Sequence, residues 1–207
     1  MKSVLSILLL LVMVSSVMAQ DNPAPKGIKG GINMAKWVGD GSPYPSEYEK
    51  TLTGFVFGAF FTLYSGPQIS IQPEILYSMK GIKYSDGSNY VKFKTNYLEI
   101  PVLLKYNFPS ASTTKVSIYG GPAVALLMSA TAEESDGTLT ESSDVKDMFK
   151  DMDLGLTFGL GLGFETGSGK LITVDGRFTM GMSNIPDDDE DIDIKNSTIS
   201  VLLGYSL

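Results

Sequence analysis

From Gly27 onward, apolar and polar side chains alternate with a period of two, which is the period of a β-strand. In the clearest stretch, Asp153–Glu165, every second residue is leucine or phenylalanine, and the residues between them are glycine, threonine or acidic. This alternation predicts eight strands: Gly27–Met34, Thr53–Leu63, Gln68–Lys80, Tyr97–Phe108, Ser117–Met128, Asp153–Glu165, Leu171–Met182 and Ile199–Leu207. Each predicted strand has one apolar face and one face that is small or charged.

Alternation alone does not say which face is inside, because a soluble sandwich buries its apolar face whereas a membrane barrel turns it towards lipid. Strands of about ten residues match a tilted strand that crosses a bilayer. A glycine-rich polar face suits the narrow interior of an eight-stranded barrel. We therefore predict an all-β fold, a single closed antiparallel up-and-down transmembrane β-barrel of eight strands. A soluble lipocalin-like binding barrel in the periplasm stays open as an alternative.

Long and short connections between the predicted strands alternate strictly. The short ones are Ser65–Pro67, Pro109–Lys115 and Thr166–Lys170, and the long ones are Ala35–Leu52, Gly81–Lys94, Ser129–Met152 and Ser183–Asn196. Short periplasmic turns and long extracellular loops are typical of outer-membrane barrels, and this arrangement puts both termini in the periplasm. We expect the long loops to be mobile and solvated, with one short helix starting at Ser143.

The N-terminal residues have the pattern of a secretory signal peptide. Lys2 precedes an apolar run from Val4 to Val14, and the small residue Ala19 marks a cleavage site. This run is shorter than the roughly 20 residues of a membrane-spanning helix. We expect residues 1–19 to be a signal peptide and residues 20–207 to form one outer-membrane β-barrel domain, located in the cell outer membrane.

Composition removes several classes of chemistry. The chain has no histidine and no cysteine, which excludes histidine-dependent hydrolases, histidine-ligated zinc and disulfides. It carries 23 acidic and 16 basic residues and a formal net charge of −7, with no basic cluster along the sequence, which argues against nucleic acid as a partner. The glycines of Asp153–Glu165 imitate a nucleotide-binding loop, but no helix follows them. They are better explained as room for bulky neighbours such as Tyr119 or Arg177. We expect no cofactor and no enzymatic activity.

Charged residues recur on the polar faces that would line the lumen: Lys29, Glu74, Glu99, Lys105, Asp153, Glu165, Asp175 and Arg177. A charge in a narrow lumen is costly unless it is paired. We predict an ion network centred on Glu74, Glu99, Lys105 and Arg177. Eight strands leave just enough room for side chains, so a plug is the favoured interpretation and an ion-selective pathway is the alternative.

One acidic run lies in the last long connection. Its residues Asp187, Asp189, Asp191 and Asp193 are able to hold Ca²⁺ through carboxylate oxygens. The run lacks the spacing and the glycine of an EF-hand loop, so a solvated, self-repelling loop is the favoured interpretation and no metal site is predicted.

Several segments together resemble one known family. They are Gly27–Asn33, Gln72–Tyr77, Tyr97–Tyr106, Gly120–Pro122 and Leu203–Leu207. The sequence resembles the PorT-like "outer membrane protein β-barrel domain" family, often labelled the porin family, over nearly the whole mature chain. The resemblance implies a Gram-negative envelope, with an outer-membrane barrel as the fold. For most members it implies no defined activity.

The favoured function is that of a non-enzymatic barrel, plugged by side chains, with a structural or interaction role and acidic surface loops. A small porin-like channel for ions or small solutes is one alternative. An accessory subunit of an envelope secretion system is another, which the PorT-like resemblance permits. The expected partners are outer-membrane lipid, the barrel-assembly machinery, and surface or secretion-system proteins.

Overall fold

The structure, a computed structural model, describes residues 26–40, 44–66, 68–110, 113–187 and 192–207. The predicted signal peptide, residues 1–19, lies outside the described residues.

Within these ranges the chain forms ten strands: β1 Lys26–Asp40, β2 Glu49–Phe61, β3 Tyr64–Ser65, β4 Ile69–Ser85, β5 Tyr90–Asn107, β6 Thr114–Ser135, β7 Thr140–Asp144, β8 Met152–Glu165, β9 Leu171–Gly181 and β10 Asp193–Ser206. A one-turn 3₁₀ helix, Ser46–Tyr48, precedes β2, and a second one, Lys146–Met148, follows β7. Among the described residues, no helix has the length and apolar character needed to cross a membrane.

Eight of these strands pair in a ring of antiparallel neighbours, in the order β1, β2, β4, β5, β6, β8, β9 and β10. The ring is completed by the pairing of β10 with β1 and of β2 with β4. Backbone groups in hydrocarbon must be hydrogen-bonded within the protein, and a ring of strands satisfies this requirement. The predicted eight-stranded antiparallel barrel is confirmed.

The two ends of the ring differ in their connections. At one end, which we name the turn end, short connections join β2 to β4, β5 to β6 and β8 to β9. The first residues of β1 and the last residues of β10 pair at this same end. The opposite end, which we name the loop end, carries the other four connections together with β7.

Apolar side chains point out of the ring and charged ones point into it. The outward residues Phe158, Leu160 and Leu203 are 49%, 64% and 61% exposed, whereas Glu99 and Arg177 are 3% and 4% exposed. A soluble barrel would show the reverse arrangement. The apolar outer surface is therefore one that lipid covers, and the soluble lipocalin-like alternative is wrong.

Glycines of β8 make room for large side chains inside the ring. Lys105, Tyr119, Gly159 and Arg177 occupy one cross-strand row. A Cβ atom built on Gly159 would overlap the end of the Tyr119 ring, and one built on Gly161 would stand 2.7 Å from a carboxylate oxygen of Asp175. The glycine alternation thus gives Tyr119 the space in which it lies between two cations.

Prolines interrupt the hydrogen-bond ladders of two strands. A missing N–H predicts a bulge or a locally unpaired position at Pro73 and at Pro101. The β4–β5 pairing breaks after Pro73 and resumes at Leu76, and the β5–β6 pairing breaks after Pro101 and resumes at Leu104. The pairing register is the same before and after each break, so the breaks are unpaired positions rather than bulges.

Two of the predicted loops are largely sheet. β4 and β5 continue to a turn at residues 86–89, and β6 reaches Ser135 before the chain returns as β7. The expectation of mobile, solvated loops at Gly81–Lys94 and Ser129–Met152 was wrong for these parts. Their outer face meets water instead of lipid, so the polar side chains point outward and the apolar ones inward. The prediction of loops considered only the pattern of strands that face lipid, so it did not recognise strands with the reverse orientation.

The short helix predicted from Ser143 was also wrong. Ser143 lies in β7, where it pairs with Ala132, and only Lys146–Met148 form a single 3₁₀ turn. Neighbouring strand edges offer the backbone continuous hydrogen bonding, which a nine-residue helix with one cap does not outweigh.

We expect Gly159→Ala to lower the free energy of unfolding by about 1–3 kcal/mol, because the new methyl group forces the buried Tyr119 ring to move. Gly176→Ala is the matched control, since a Cβ atom there has nothing within 4 Å. Urea unfolding in lipid vesicles, followed by the fluorescence of the single tryptophan, measures both. Equal losses in the two variants would contradict the packing argument.

Candidate functional site

The first cluster of charges in the lumen joins three strands. Glu74 of β4 accepts a hydrogen bond from Lys29 of β1 at 2.7 Å and another from Arg177 of β9 at 2.8 Å. Lys29 also donates to Asp175 at 3.2 Å. All four side chains are buried, and Glu74 is fully inaccessible. Period-two alternation aims each of them inward, and the ring brings their strands within reach of one another.

A second set of groups extends this cluster across the barrel. Gln72 donates to Glu74 at 2.7 Å and accepts from Lys105 at 3.4 Å. The Tyr119 ring lies between the Lys105 ammonium, 5.4 Å from its centroid, and the Arg177 guanidinium, 5.5 Å from it. A cation facing an aromatic ring in a dry site gains electrostatic attraction. The partners of Lys105 are thus the Gln72 amide and the Tyr119 ring.

Glu99 belongs to a different ion pair from the predicted one. Its carboxylate accepts from Lys80 at 2.7 Å, whereas the sequence analysis placed it in the network of Glu74 and Arg177. Glu99 pairs with Leu76 in the β4–β5 register, on the loop-end side of Glu74. Lys80 was missed as a site residue, although the alternation put it on the polar face of its strand.

Asp153 lies near this second pair but is held by neutral groups. Asn196 donates to it at 2.9 Å and Ser183 at 2.7 Å. The same Asn196 amide reaches the Tyr97 hydroxyl at 3.4 Å. Asp153 is therefore anchored to β10 and to the segment that precedes it.

Glu165 lies away from both clusters. It ends β8 at the turn end, where its nearest basic partner is Lys115 at 3.9 Å, and both side chains are almost half exposed. Strand alternation aims it inward, but its end position leaves it in solvent. It takes no part in the lumenal network.

The lumenal charges balance. The basic residues are Lys29, Lys80, Lys105 and Arg177, and the acidic residues are Glu74, Glu99, Asp153 and Asp175. Four positive and four negative groups give this set a formal charge of zero. The set therefore presents no net charge that would attract one sign of mobile ion.

An apolar cap closes the interior towards the loop end. Its buried members are Trp37, Ile82, Tyr84, Tyr97, Ala125, Leu127, Ala130, Phe149, Ile185 and Ile194. The Trp37 ring contacts Phe93 and Phe149 at centroid distances of 5.4 and 5.7 Å. Phe149 and Ile185 come from predicted loops, so these segments are packed rather than free. The cap was not predicted from the sequence, because its apolar residues point inward whereas the apolar residues of the lipid-facing pattern point outward.

The acidic run remains mostly outside the described residues. This holds for Asp189 and Asp191, two of the four possible Ca²⁺ ligands. Asp187 is described, and its backbone N–H donates to Met148 at 3.2 Å. Asp193 starts β10 and forms an exposed ion pair with Lys195 at 2.6 Å.

Beyond the membrane-facing surface, one carboxylate binds three donors. Glu133 accepts hydrogen bonds from Lys92 at 2.8 Å, from Lys94, and from the Tyr90 hydroxyl at 3.0 Å. These hydrogen bonds, with that of Lys92 the strongest, lower the pKa of Glu133 from 4.5 to about 2. Glu133 therefore stays charged at neutral pH and ties β5 to β6 above the barrel.

A ring of eight antiparallel strands with an apolar outer surface and a charged interior defines a small outer-membrane β-barrel. Residues 18–187 match the family model described as "Outer membrane protein beta-barrel domain", and the chain belongs to this family. Membership places the protein in the outer membrane.

Solved structures to which the chain is similar include the outer membrane proteins Ail and OprG and a neisserial surface protein. Ail of Yersinia pestis is 14% identical, with 90% of this chain and 100% of that chain covered and a TM-score of 0.45. OprG of Pseudomonas aeruginosa is 12% identical, with 89% and 96% covered and a TM-score of 0.47. Neisserial surface protein A is 14% identical, with 88% and 97% covered and a TM-score of 0.45. Comparison with curated proteins gives no match.

We expect Glu74→Gln to cost about 3–5 kcal/mol of unfolding free energy, because two buried cations then lose their shared carboxylate. Urea unfolding in lipid vesicles measures the loss. Glu165→Gln is the matched control, since it removes the same charge from an exposed pair, and we expect little change from it. The double variant Glu74→Gln with Arg177→Gln should recover part of the loss. A single Glu74→Gln variant as stable as the control would contradict the role of this ion pair.

We expect the stability contribution of Glu133 to be fully present above about pH 4.5 and to disappear as the pH falls towards 2, because its folded pKa lies below its ordinary value. Amide hydrogen exchange of Tyr90–Lys94, expressed relative to unfolded rates, reports on it. Glu133→Gln should reduce protection at neutral pH and make no difference near pH 2. Glu134→Gln, the same change on the opposite face, is the control, and an equal effect from it would refute this assignment.

Proposed function

We propose that this protein is a non-enzymatic structural or interaction barrel whose lumen is filled by side chains and does not conduct. The observation that carries the proposal is the pairing of Glu74 with both Lys29 and Arg177 in the middle of the barrel. Ions in a pathway must exchange their partners, whereas these three side chains hold one another at hydrogen-bond distance and are buried.

Packing beside the ion cluster and on its loop-end side supports the same proposal. Tyr119 and Lys105 occupy the interior on its β5–β6 side, and the apolar cap lies on its loop-end side. Dry apolar packing excludes water and ions alike. In this arrangement the charges fix the positions of β1, β4 and β9 relative to one another rather than serve transport.

The proposed orientation puts the turn end in the periplasm and the loop end outside the cell. Short periplasmic turns are the rule in outer-membrane barrels, and both described ends of the chain lie at the turn end. In this orientation, cleavage after a signal peptide and insertion by the barrel-assembly machinery leave both termini in the periplasm. The loop-end sheet then faces the surface partners of this proposal.

A porin-like channel is the second candidate, because charged residues do line the lumen. The third, an accessory subunit of an envelope secretion system, has support only from the PorT-like resemblance. Copurification from envelopes with secretion components would favour the third over the first.

Planar-bilayer recording separates the plugged barrel from the channel. We expect no stable conductance steps from the wild-type protein or from Arg177→Gln, and a lower urea midpoint for the variant. A porin added to the same bilayers controls for membrane quality. Stable steps whose ion selectivity changes in Arg177→Gln would establish the channel and overturn the plug.

A further inference from the structure

Three lysines stand side by side on neighbouring strands at the loop end. Lys50 of β2 pairs in register with Lys83 of β4, and Lys83 pairs with Lys92 of β5. We name these three residues the basic row. Residues directly opposite each other in antiparallel strands share a face, and like charges at such positions repel. The row is therefore unfavourable by itself.

The basic row lies on the outer face of the sheet, just beyond the apolar surface. Met79 is the last large apolar residue on the outer face of β4 before Lys83. Four residues of strand rise about 13 Å, or about 10 Å along the membrane normal for a tilt of about 40°. The headgroup layer is about 5–8 Å thick on each side of the hydrocarbon, and lysine side chains bend towards charged surroundings. The row can thus reach the headgroups.

The protein's own carboxylates neutralise the basic row only in part. Glu133 binds Lys92 and its neighbour Lys94. Within the described residues, no carboxylate lies within ion-pair distance of Lys50 or Lys83. Lys50 donates weakly to the Glu47 carbonyl at 3.5 Å, and the Lys83 ammonium lies 5.1 Å from the Tyr90 ring centroid. Two positive charges therefore remain without an anion.

The opposite face of the sheet carries three carboxylates at this level, on β2, β6 and β7. The next row along these strands contains Glu49, Tyr84, Val91, Glu134 and Glu141 in continuous register. An anion that approaches from the inner face meets three carboxylates. On the lipid side, the register places four lysines, the basic row and Lys94, against two carboxylates, Glu133 and Asp144.

We propose that the basic row binds the phosphate groups of outer-leaflet lipid headgroups, with Lys50 and Lys83 as the principal contacts. The proposal rests on the orientation given above, in which the loop end faces outside. The lysine ammonium is a compact charge that suits a phosphate oxygen, and the Tyr90 ring beside Lys83 gives the headgroup an apolar surface. Lipid phosphate supplies the anion that the row lacks.

The test uses the full-length mature protein in nanodiscs of phosphatidylcholine that contain diphosphoryl lipid A, with retained lipid measured by native mass spectrometry. We expect Lys50→Gln with Lys83→Gln to weaken binding by about 25-fold, or about fivefold for each lysine, the usual contribution of one basic residue at an anionic surface. Lys26→Gln with Lys170→Gln, at the turn end, is the matched control and should bind as the wild type does. Heat-dependent gel migration checks that each variant is folded.

Further arms identify the source of the anion. Dephosphorylated lipid A should bind all variants equally weakly, and inorganic phosphate should not displace lipid A. The proposal is overturned if the double variant retains lipid A as the wild type does, if free phosphate competes, or if both double variants lose it equally. Loss of polyglutamate binding in the variant, with lipid A binding unchanged, would assign the row to an acidic protein instead. Nanodiscs expose both leaflets, so the result is independent of orientation and of conductance.

Discussion

The interior of an eight-stranded barrel is just wide enough for side chains, and this narrowness governs where the protein places its charges. A charge there cannot keep its hydration shell, so it needs an opposite charge or other polar partners close to it. Glu74 meets this need for Lys29 and Arg177 at once. The same narrowness explains Gly159, because a larger residue there would displace the Tyr119 ring from its place between two cations. Charge pairing and small residues are two consequences of one constraint.

The alternation in the sequence was sufficient to predict the faces, the strand number and the lumenal placement of residues such as Glu74 and Arg177. It was not sufficient to predict neighbours across the barrel, since these depend on register and on the stagger of eight strands. Glu99 illustrates the limit. Its register partner on β4, Leu76, lies two residues from Glu74, and Glu99 meets Lys80 instead. Glu165 shows a second limit, because strand ends expose inward positions that the pattern treats as buried.

In the part of the sheet that extends beyond the bilayer, apolar side chains also avoid water, but the apolar and polar faces are exchanged. Where lipid gives way to water, the outer face becomes polar and the inner face becomes apolar, as in soluble sheets. Ile82 and Phe149 then pack around Trp37 and close the interior. Segments rich in Ser, Gly and Asp look like loops when only the lipid-facing pattern is sought. Their apolar residues become meaningful once the sheet is extended beyond the bilayer.

In a sheet that extends beyond the bilayer, charged residues have to be counted for each face of the sheet rather than for each segment of the sequence. The chain is acidic overall, and no stretch of its sequence is notably basic. Register nevertheless gathers Lys50, Lys83 and Lys92 from three strands on one side, while Glu134 and its neighbours occupy the other. The period of two separates alternating acidic and basic residues as effectively as it separates apolar from polar ones. The extended sheet, rather than any single strand, therefore carries more basic residues on its lipid side than on its inner side, and the lipid side faces the headgroup phosphates.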